Sequence, residues 1–358
     1  MIIQNKLSLF FIPLILGIVS SFSLPPYSYF YINFITFPLF FIFYLSNNKK
    51  NKIISFCIGW IFGFGYFISS LYWIIHSLTF EEIFKPLIPF AIILIPLFLG
   101  IFYGLATLIC SMFKLSKKIS SILIFSIIFG SVEYIRGFIF GGFPWNLIVF
   151  SLTEFLPLIQ ILSLLGTYSL NLIFISFLLI PSVIFLNYKK KQKFFILLSA
   201  SILMISNYIY GLSVIKTDNS IQNQNLNFTI KIVAPKTEIN KFFQEINSYE
   251  LIEELIHLSS PNKFKKTVFI FPEGTFPSIY LDDLIQYSHL FSKNYSDEHK
   301  IILGVNRFKN EKTFNSMAVI DKDTNILNIY DKNKLVPFGE FLPFENFLDK
   351  FGLKKITH

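Results

Sequence analysis

The chain has 358 residues, 53% of them hydrophobic and only 15% charged, and 46 are Phe. A soluble globular chain holds about 25% charged residues, so this balance excludes an ordinary soluble protein, an intrinsically disordered chain and a disulfide-stapled secreted module. The net charge of +9 falls in residues 1–212, with 13 Lys+Arg against 4 Asp+Glu, while residues 213–358 carry 18 of each sign; basic residues among apolar runs report membrane orientation, so no nucleic-acid partner is expected.

In chain order, seven apolar runs approach the roughly 20 residues that a bilayer crossing needs. They lie at 7–24, 29–45, 53–77, 87–113, 119–140, 166–187 and 194–212. The first ends in Leu24-Pro25-Pro26, without a small-residue cleavage site, and reads as a retained span and not a signal peptide. Lys6 precedes it, and further lysines cluster at Lys49, Lys50 and Lys52, at Lys114, Lys117 and Lys118, and at Lys189, Lys190, Lys191 and Lys193. The alternate loops hold Glu81, Glu82, Lys85, Arg136 and Glu154. This alternation predicts a cytoplasmic N-terminus and places residues 213–358 outside, on the periplasmic face in a bacterium. The domains expected are thus 1–212 in the membrane and 213–358 beyond it. Phe, Ile, Asn and Lys all have AT-rich codons, so the many Phe read as lipid-facing filler. Cys57 and Cys110 both lie in apolar runs and indicate neither a disulfide framework nor a metal cluster.

The fifth run ends in Glu133-Tyr134-Ile135-Arg136-Gly137, followed by Gly141-Gly142-Phe143-Pro144-Trp145-Asn146. Two ionisable groups in a membrane segment are costly unless they pair at i,i+3 or face a polar cavity. Trp145 there suits an interfacial anchor.

After residue 213 the period changes. Residues 227–234 alternate as a strand, and 241–258 carry Leu251, Ile252, Leu255 and Ile256 at helical spacing. A buried-type strand at 267–271 ends in Pro272-Glu273-Gly274, a helical stretch covers 280–293, and strands follow at 300–306, 314–320 and 326–330. This order predicts an α/β domain. No Gly-rich phosphate loop, HExxH or GxSxG occurs, which removes the usual support for a kinase, a zincin or a serine esterase. Glu273 follows directly on an apolar strand, where a carboxylate can be partly desolvated and act as a base; a turn-capping Glu is the plainer alternative. In Tyr330-Asp331-Lys332-Asn333-Lys334-Leu335-Val336-Pro337-Phe338-Gly339-Glu340, a Lys and a Glu flank a Pro–Gly turn. An ammonium there could stabilise an oxyanion, and a charged surface hairpin is the alternative.

Taken together, the E-x-x-R-G and GGFPWN segments, the strand ending in FPEG and the YDKNKLVPFGEFLPFE stretch resemble the apolipoprotein N-acyltransferases. These are polytopic membrane members of the nitrilase, or carbon–nitrogen hydrolase, superfamily. The resemblance implies a multi-span helical bundle carrying a nitrilase-like α-β-β-α sandwich in a bacterial inner membrane. It implies transfer of an acyl chain from a phospholipid, through a cysteine thioester, to the N-terminal diacylglyceryl-cysteine of an apolipoprotein, without cofactor or metal. Glu273 then matches the general base, Lys332 the oxyanion-stabilising lysine and Glu340 the glutamate that supports both. Glu133, Arg136 and Trp145 fall to substrate binding. The family's nucleophilic cysteine and last span follow the PFGE segment, whereas this sequence ends at His358. Cys57 and Cys110, near the cytoplasmic ends of their runs, stand roughly 30 Å of hydrocarbon from the side expected for Glu273. The domain is therefore expected to be shortened at its C-terminus and inactive by itself. The alternative function is a non-catalytic membrane protein that binds phospholipid or lipoprotein. A transporter is disfavoured, because the runs show no repeat.

Overall fold

The computed structural model describes residues 6–47, 51–79, 82–113, 115–139, 142–221, 227–235, 247–336 and 340–341. The chain divides into two compact units, Met1–Asn223 and Gln224–His358.

The first unit is helical: α1 (Lys6–Ser21), α2 (Asn33–Asn47), α3 (Lys52–Ser70), α4 (Ile88–Met112), α5 (Ile119–Arg136), the short α6 (Leu156–Ile159) and α7 (Leu162–Leu165), α8 (Thr167–Leu179) and α9 (Lys190–Ile221). Among the described residues, six helical segments are long and apolar enough to cross a membrane, beginning at Phe30, Lys52, Phe84, Ile119, Thr167 and Lys190. The first apolar run forms α1, whose 16 residues reach about 24 Å, less than the hydrocarbon thickness of about 30 Å. Helix α9 continues to Ile221, past residue 212 where the apolar run stops.

Lipid tails are as apolar as leucine, so helices associate in a bilayer through close backbone approach and not through the hydrophobic effect. The α1–α3–α4 layer is built this way. A Cβ on Gly59 would lie 2.3 Å from the Tyr103 carbonyl oxygen, and one on Gly63 2.9 Å from the Gly100 Cα. On the other side of α3, a Cβ on Gly65 would meet the Leu14 carbonyl oxygen at 2.4 Å. A buried polar knot joins α1 to α2: Ser20 Oγ donates to Asn33 Oδ1 at 2.6 Å, and Asn33 Nδ2 donates to Ser23 Oγ at 2.7 Å. The phenylalanines divide, and lipid-facing filler describes only part of them. Phe37, Phe40, Phe41, Phe62, Phe67, Phe125 and Phe129 are fully buried, with Phe40 and Phe62 stacked at 4.0 Å, whereas Phe10, Phe90 and Phe194 point outward.

The second unit holds β1 (Thr229–Ile232), α10 (Ser248–Ser259), β2 (Thr267–Ile270), β3 (Phe276–Tyr280), a 3-10 turn at Leu281–Tyr287, α11 (Ser288–Asn294), β4 (His299–Lys309), β5 (Lys312–Ile320) and β6 (Ile326–Asp331). They form one mixed sheet in the order β1-β2-β4-β5-β6, in which β1, β2 and β4 are parallel and β4, β5 and β6 antiparallel. The expected strands and helices recur, but β3 was not anticipated. It pairs with β4 at Val305 and Asn306, beyond the His299–Ile302 stretch that pairs with β2. The two strands therefore follow one another along the same edge of β4, and the Pro272–Thr275 turn lies between them.

Alternation along the strands decides which side is covered. Phe269, Ile301, Leu303, Val305, Ala318 and Ile320 are buried in one core with Leu251, Ile252, Leu255 and Ile256 of α10 and with Leu290 and Phe291 of α11. Helix α10 starts at Asn247, whose side chain accepts from the Tyr249 amide at 3.0 Å, an ordinary N-cap. The opposite rows of the sheet are open: Ile232 is 77% exposed and Met317 48%.

Candidate active site

The turn after β2 carries Glu273. Gly274 takes φ +65°, a left-handed conformation that costs glycine little. Gly304 is buried on the row of β4 opposite the core residues, and a Cβ there would lie 2.6 Å from the Glu273 Cα. Its missing side chain lets the turn lie flat on the sheet. The turn is tied down by the Gly304 amide donating to the Pro272 carbonyl at 3.2 Å and the Thr275 amide donating to the Gly304 carbonyl at 3.0 Å.

Lys332 arrives from the end of β6. Arg307 bonds Asp331 at 3.1 Å and Ser316 Oγ donates to Asp331 at 2.7 Å, which pins this strand end. The Lys332 amide donates to the Asn315 carbonyl at 2.9 Å, continuing the β5–β6 ladder by one residue. Its ammonium lies 3.0 Å from Glu273 Oε1 and 2.7 Å from Glu340 Oε1. The Asn315 amide group donates to the same two oxygens, to Glu273 Oε1 and, at 3.0 Å, to Glu340 Oε1. Two donors and two carboxylate oxygens thus close a ring. Glu340 Oε2 accepts the Val336 amide at 2.8 Å, so its carboxylate is held at both oxygens.

The structure therefore brings together the three catalytic candidates, Glu273, Lys332 and Glu340, and adds Asn315 and Gly304. Asparagine is depleted in strands and an interior strand glycine often marks a close backbone approach, so both carried a signal. The ring holds two carboxylates against one ammonium. Glu273 is the most open member, its side chain 63% exposed, and among the described residues its Oε2 accepts no hydrogen bond. An ammonium has three donors, and two are engaged among the described residues.

Partial burial disfavours the Lys332 ammonium, but its bonds to Glu340 and Glu273 and their charges outweigh this and raise its pKa. Partial burial likewise works against the Glu340 carboxylate, and the bonds from Lys332, the Val336 amide and Asn315 overcome it and lower its pKa. A depressed carboxylate stabilises the fold above its unfolded value of about 4.3, and that stability is lost as pH falls through the folded value. The raised lysine stabilises below about 10.4, and its share is lost as pH rises through the folded value. Unfolding of the second unit monitored from about pH 7 down to about pH 3 is expected to show an acid loss of stability that Glu340→Gln makes shallower. An identical acid limb in the variant would remove Glu340 from this linkage.

The other three candidates meet in the first unit. Arg136 Nη2 lies 3.1 Å from Glu133 Oε1, with both side chains fully buried. Asn171 of α8 donates to Glu133 Oε2 at 3.1 Å and accepts the Val149 amide at 2.9 Å. Arg136 Nη1 donates to the carbonyls of Phe143 at 2.6 Å and Trp145 at 2.9 Å. The pair therefore ties the loop after α5 to the helix. Trp145 is 44% exposed and lies 5.4 Å, ring to ring, from the equally exposed Trp73. Glu133 and Arg136 hold the loop, and Trp145 is the member that reaches the surface. Among the described residues no group of three or more His, Cys, Asp or Glu side chains could hold a metal ion.

Residues 16–180 match the apolipoprotein N-acyltransferase N-terminal domain family. The chain is 28% identical over 360 residues to an apolipoprotein N-acyltransferase of Agrobacterium fabrum, which covers 95% of this chain and 66% of that protein. It is 28% identical over 371 residues to the one from Rhodopseudomonas palustris (97% of this chain, 67% of that protein), and 26% identical over 364 residues to the one from Brucella melitensis (95% and 66%). The chain spans about two thirds of the length of these relatives.

Proposed function

We propose that the chain, which over residues 16–180 matches the apolipoprotein N-acyltransferase N-terminal domain family and is 28% identical to such a protein of Agrobacterium fabrum, is a member of that family of membrane proteins with a nitrilase-like domain, and that its second unit supplies the base and the oxyanion-stabilising ammonium for lipoprotein N-acylation. The acyl donor is a phospholipid and the acceptor is the α-amino group of an apolipoprotein's diacylglyceryl-cysteine. The observation that carries this reading is the Lys332 ammonium held between Glu273 at 3.0 Å and Glu340 at 2.7 Å.

In the first half-reaction Glu273 Oε2 takes the proton of a cysteine thiol, and the thiolate attacks the phospholipid ester carbonyl. Lys332 stabilises the oxyanion, and Glu273 returns its proton to the departing lysophospholipid oxygen. In the second, Glu273 takes a proton from the lipoprotein amine as it attacks the thioester, and the thiolate leaves and is reprotonated. Lys332 and Asn315 keep Oε1 of Glu273 occupied, so that Oε2 is the basic atom. The nucleophile comes from neither Cys57 nor Cys110. Cys57 lies in α3, Cys110 is buried in α4, and residues 224–358 contain no cysteine.

The test supplies phospholipid with a labelled acyl chain, and an apolipoprotein acceptor, to the full protein that contains this sequence. Label on the acceptor's amino group supports the reading, and an acceptor that keeps its free amine refutes it. The 358 residues alone are expected to accumulate no hydroxylamine-sensitive adduct. A second reading, that these residues bind lipid or lipoprotein without acylating it, is favoured by the composition of residues 224–358, which contain no cysteine. It would be supported by acceptor binding without label transfer.

The lysine-rich loops further support an inner-membrane orientation with the N-terminus in the cytoplasm and the second unit in the periplasm. Cysteines placed at Ser116 and Asn310 are expected to label from opposite sides of the membrane. Labelling from one side would overturn that orientation.

A further inference from the structure

We propose that the lysine-rich end of the membrane unit holds an anionic phospholipid, with an acyl chain in a groove beside α9 and the phosphate among Lys117, Lys118, Lys189 and Lys190. The groove measures about 380 Å³ and is lined by Phe177 and Ile180 on one side, by Phe195, Ser199 and Leu203 of α9 on the other, and by Ile119 at the start of α5. Its cause is local. Pro181 lacks the amide that would continue α8, and the chain tightens into a 3-10 turn at Ile180–Phe185. Helix α9 is tied to the unit on either side of the groove, where Lys193 Nζ donates to the Ile184 carbonyl at 2.6 Å and Asn207 Nδ2 to the Leu158 carbonyl at 2.9 Å. The stretch between these ties rises about 21 Å. The lining from Phe195 to Leu203 rises about 12 Å, within one leaflet's half of a hydrocarbon layer about 30 Å thick.

Charge selects the occupant. The Asn187 amide donates to the Lys117 carbonyl at 3.1 Å, and the Ile119 amide to the Tyr188 hydroxyl at 3.1 Å. The two lysine stretches are thereby joined at the end of the groove where Ile119 sits. Lys117, Lys118, Lys189 and Lys190 are all exposed, and residues 114–132 and 155–217 contain no Asp or Glu. A soluble anion would satisfy these lysines and leave the groove empty, and a neutral lipid would do the reverse. An anionic phospholipid satisfies both. This site is separate from the acyl-transfer chemistry and does not depend on it.

The test is native mass spectrometry of the full chain in detergent, with dioleoyl phosphatidylglycerol and dioleoyl phosphatidylcholine offered in equal amounts. Each lysine near an anionic headgroup contributes a factor of about five, so phosphatidylglycerol is expected to be retained at least tenfold more. Replacing Lys117, Lys118, Lys189 and Lys190 together by Gln should abolish the preference while the chain stays folded, because all four are exposed. Filling the groove with Ala200→Trp should reduce retention of both lipids. Equal retention of the two lipids by the unaltered chain, or a preference that survives the fourfold Lys→Gln change, would overturn the proposal. So would undiminished lipid binding in Ala200→Trp, which would mean headgroup adsorption alone, or displacement of the lipid by millimolar inorganic phosphate, which would mean a simple anion site.

Discussion

Acyl-enzyme formation by the full protein is expected to fall by roughly 10²–10³ when Lys332 is replaced by Ala, equivalent to about 3–4 kcal/mol of transition-state stabilisation. The ammonium is fixed by Glu273 at 3.0 Å and Glu340 at 2.7 Å before any substrate arrives, so it needs no reorganisation when an oxyanion develops. Removing it also leaves two carboxylates sharing the Asn315 amide without a cation, so the pair holds a proton to higher pH and less of it is ionised to act as base. The rate should therefore recover partly at higher pH, a shift that simple loss of fold would not produce. Glu273→Gln should fall at least as far without that recovery, because no base is left to ionise. Single-turnover measurement of thioester formation across pH decides the matter. A Lys332→Ala rate equal to that of the unaltered protein would exclude Lys332 from the mechanism.

Arg136→Leu is expected to be the most damaging single change in the membrane unit. It leaves the Glu133 carboxylate buried without its cation, and breaking a buried pair from one side costs about 3–5 kcal/mol. It also frees the carbonyls of Phe143 and Trp145, which Arg136 Nη1 now satisfies. The guanidinium carbon also lies 5.2 Å from the centre of the Phe67 ring. The double variant Glu133→Leu with Arg136→Leu removes the stranded charge and should regain part of the loss. It should not regain all of it, because the loop carbonyls stay unbonded. Thermal unfolding in detergent, read by the fluorescence of Trp145 and Trp73, distinguishes these cases. An Arg136→Leu midpoint equal to that of the unaltered protein would mean the pair contributes nothing to holding the loop.

Most strands and helices of the second unit were legible because period and burial agree there. Phe269, Ile301, Leu303 and Val305 alternate along strands packed on a helix whose apolar residues recur at helical spacing. Strand β3 was not, since Phe276–Tyr280 follows a turn and pairs irregularly with β4. The phenylalanines were only half legible. Lipid and a protein core in a bilayer are equally apolar, so composition alone cannot assign Phe62 inward and Phe90 outward.

The sequence by itself determined the division into an apolar, basic half and a neutral α/β half, and it singled out Glu273, Lys332 and Glu340 as candidates. Those features are local: runs, periods and motifs written in consecutive residues. Only the tertiary structure decided that the three meet, that Asn315 closes their ring, and that Gly304 lets the Glu273 turn rest on the sheet. It also decided that Glu133 and Arg136 pair with each other, that Arg136 holds the loop through two carbonyls, and that Trp145 lies at the surface. The reason is physical. Hydrogen bonds and charge pairs act over a few ångströms in space, and Glu273 and Lys332 stand 59 residues apart in the chain. Strand pairing closes that distance, and a motif cannot record it.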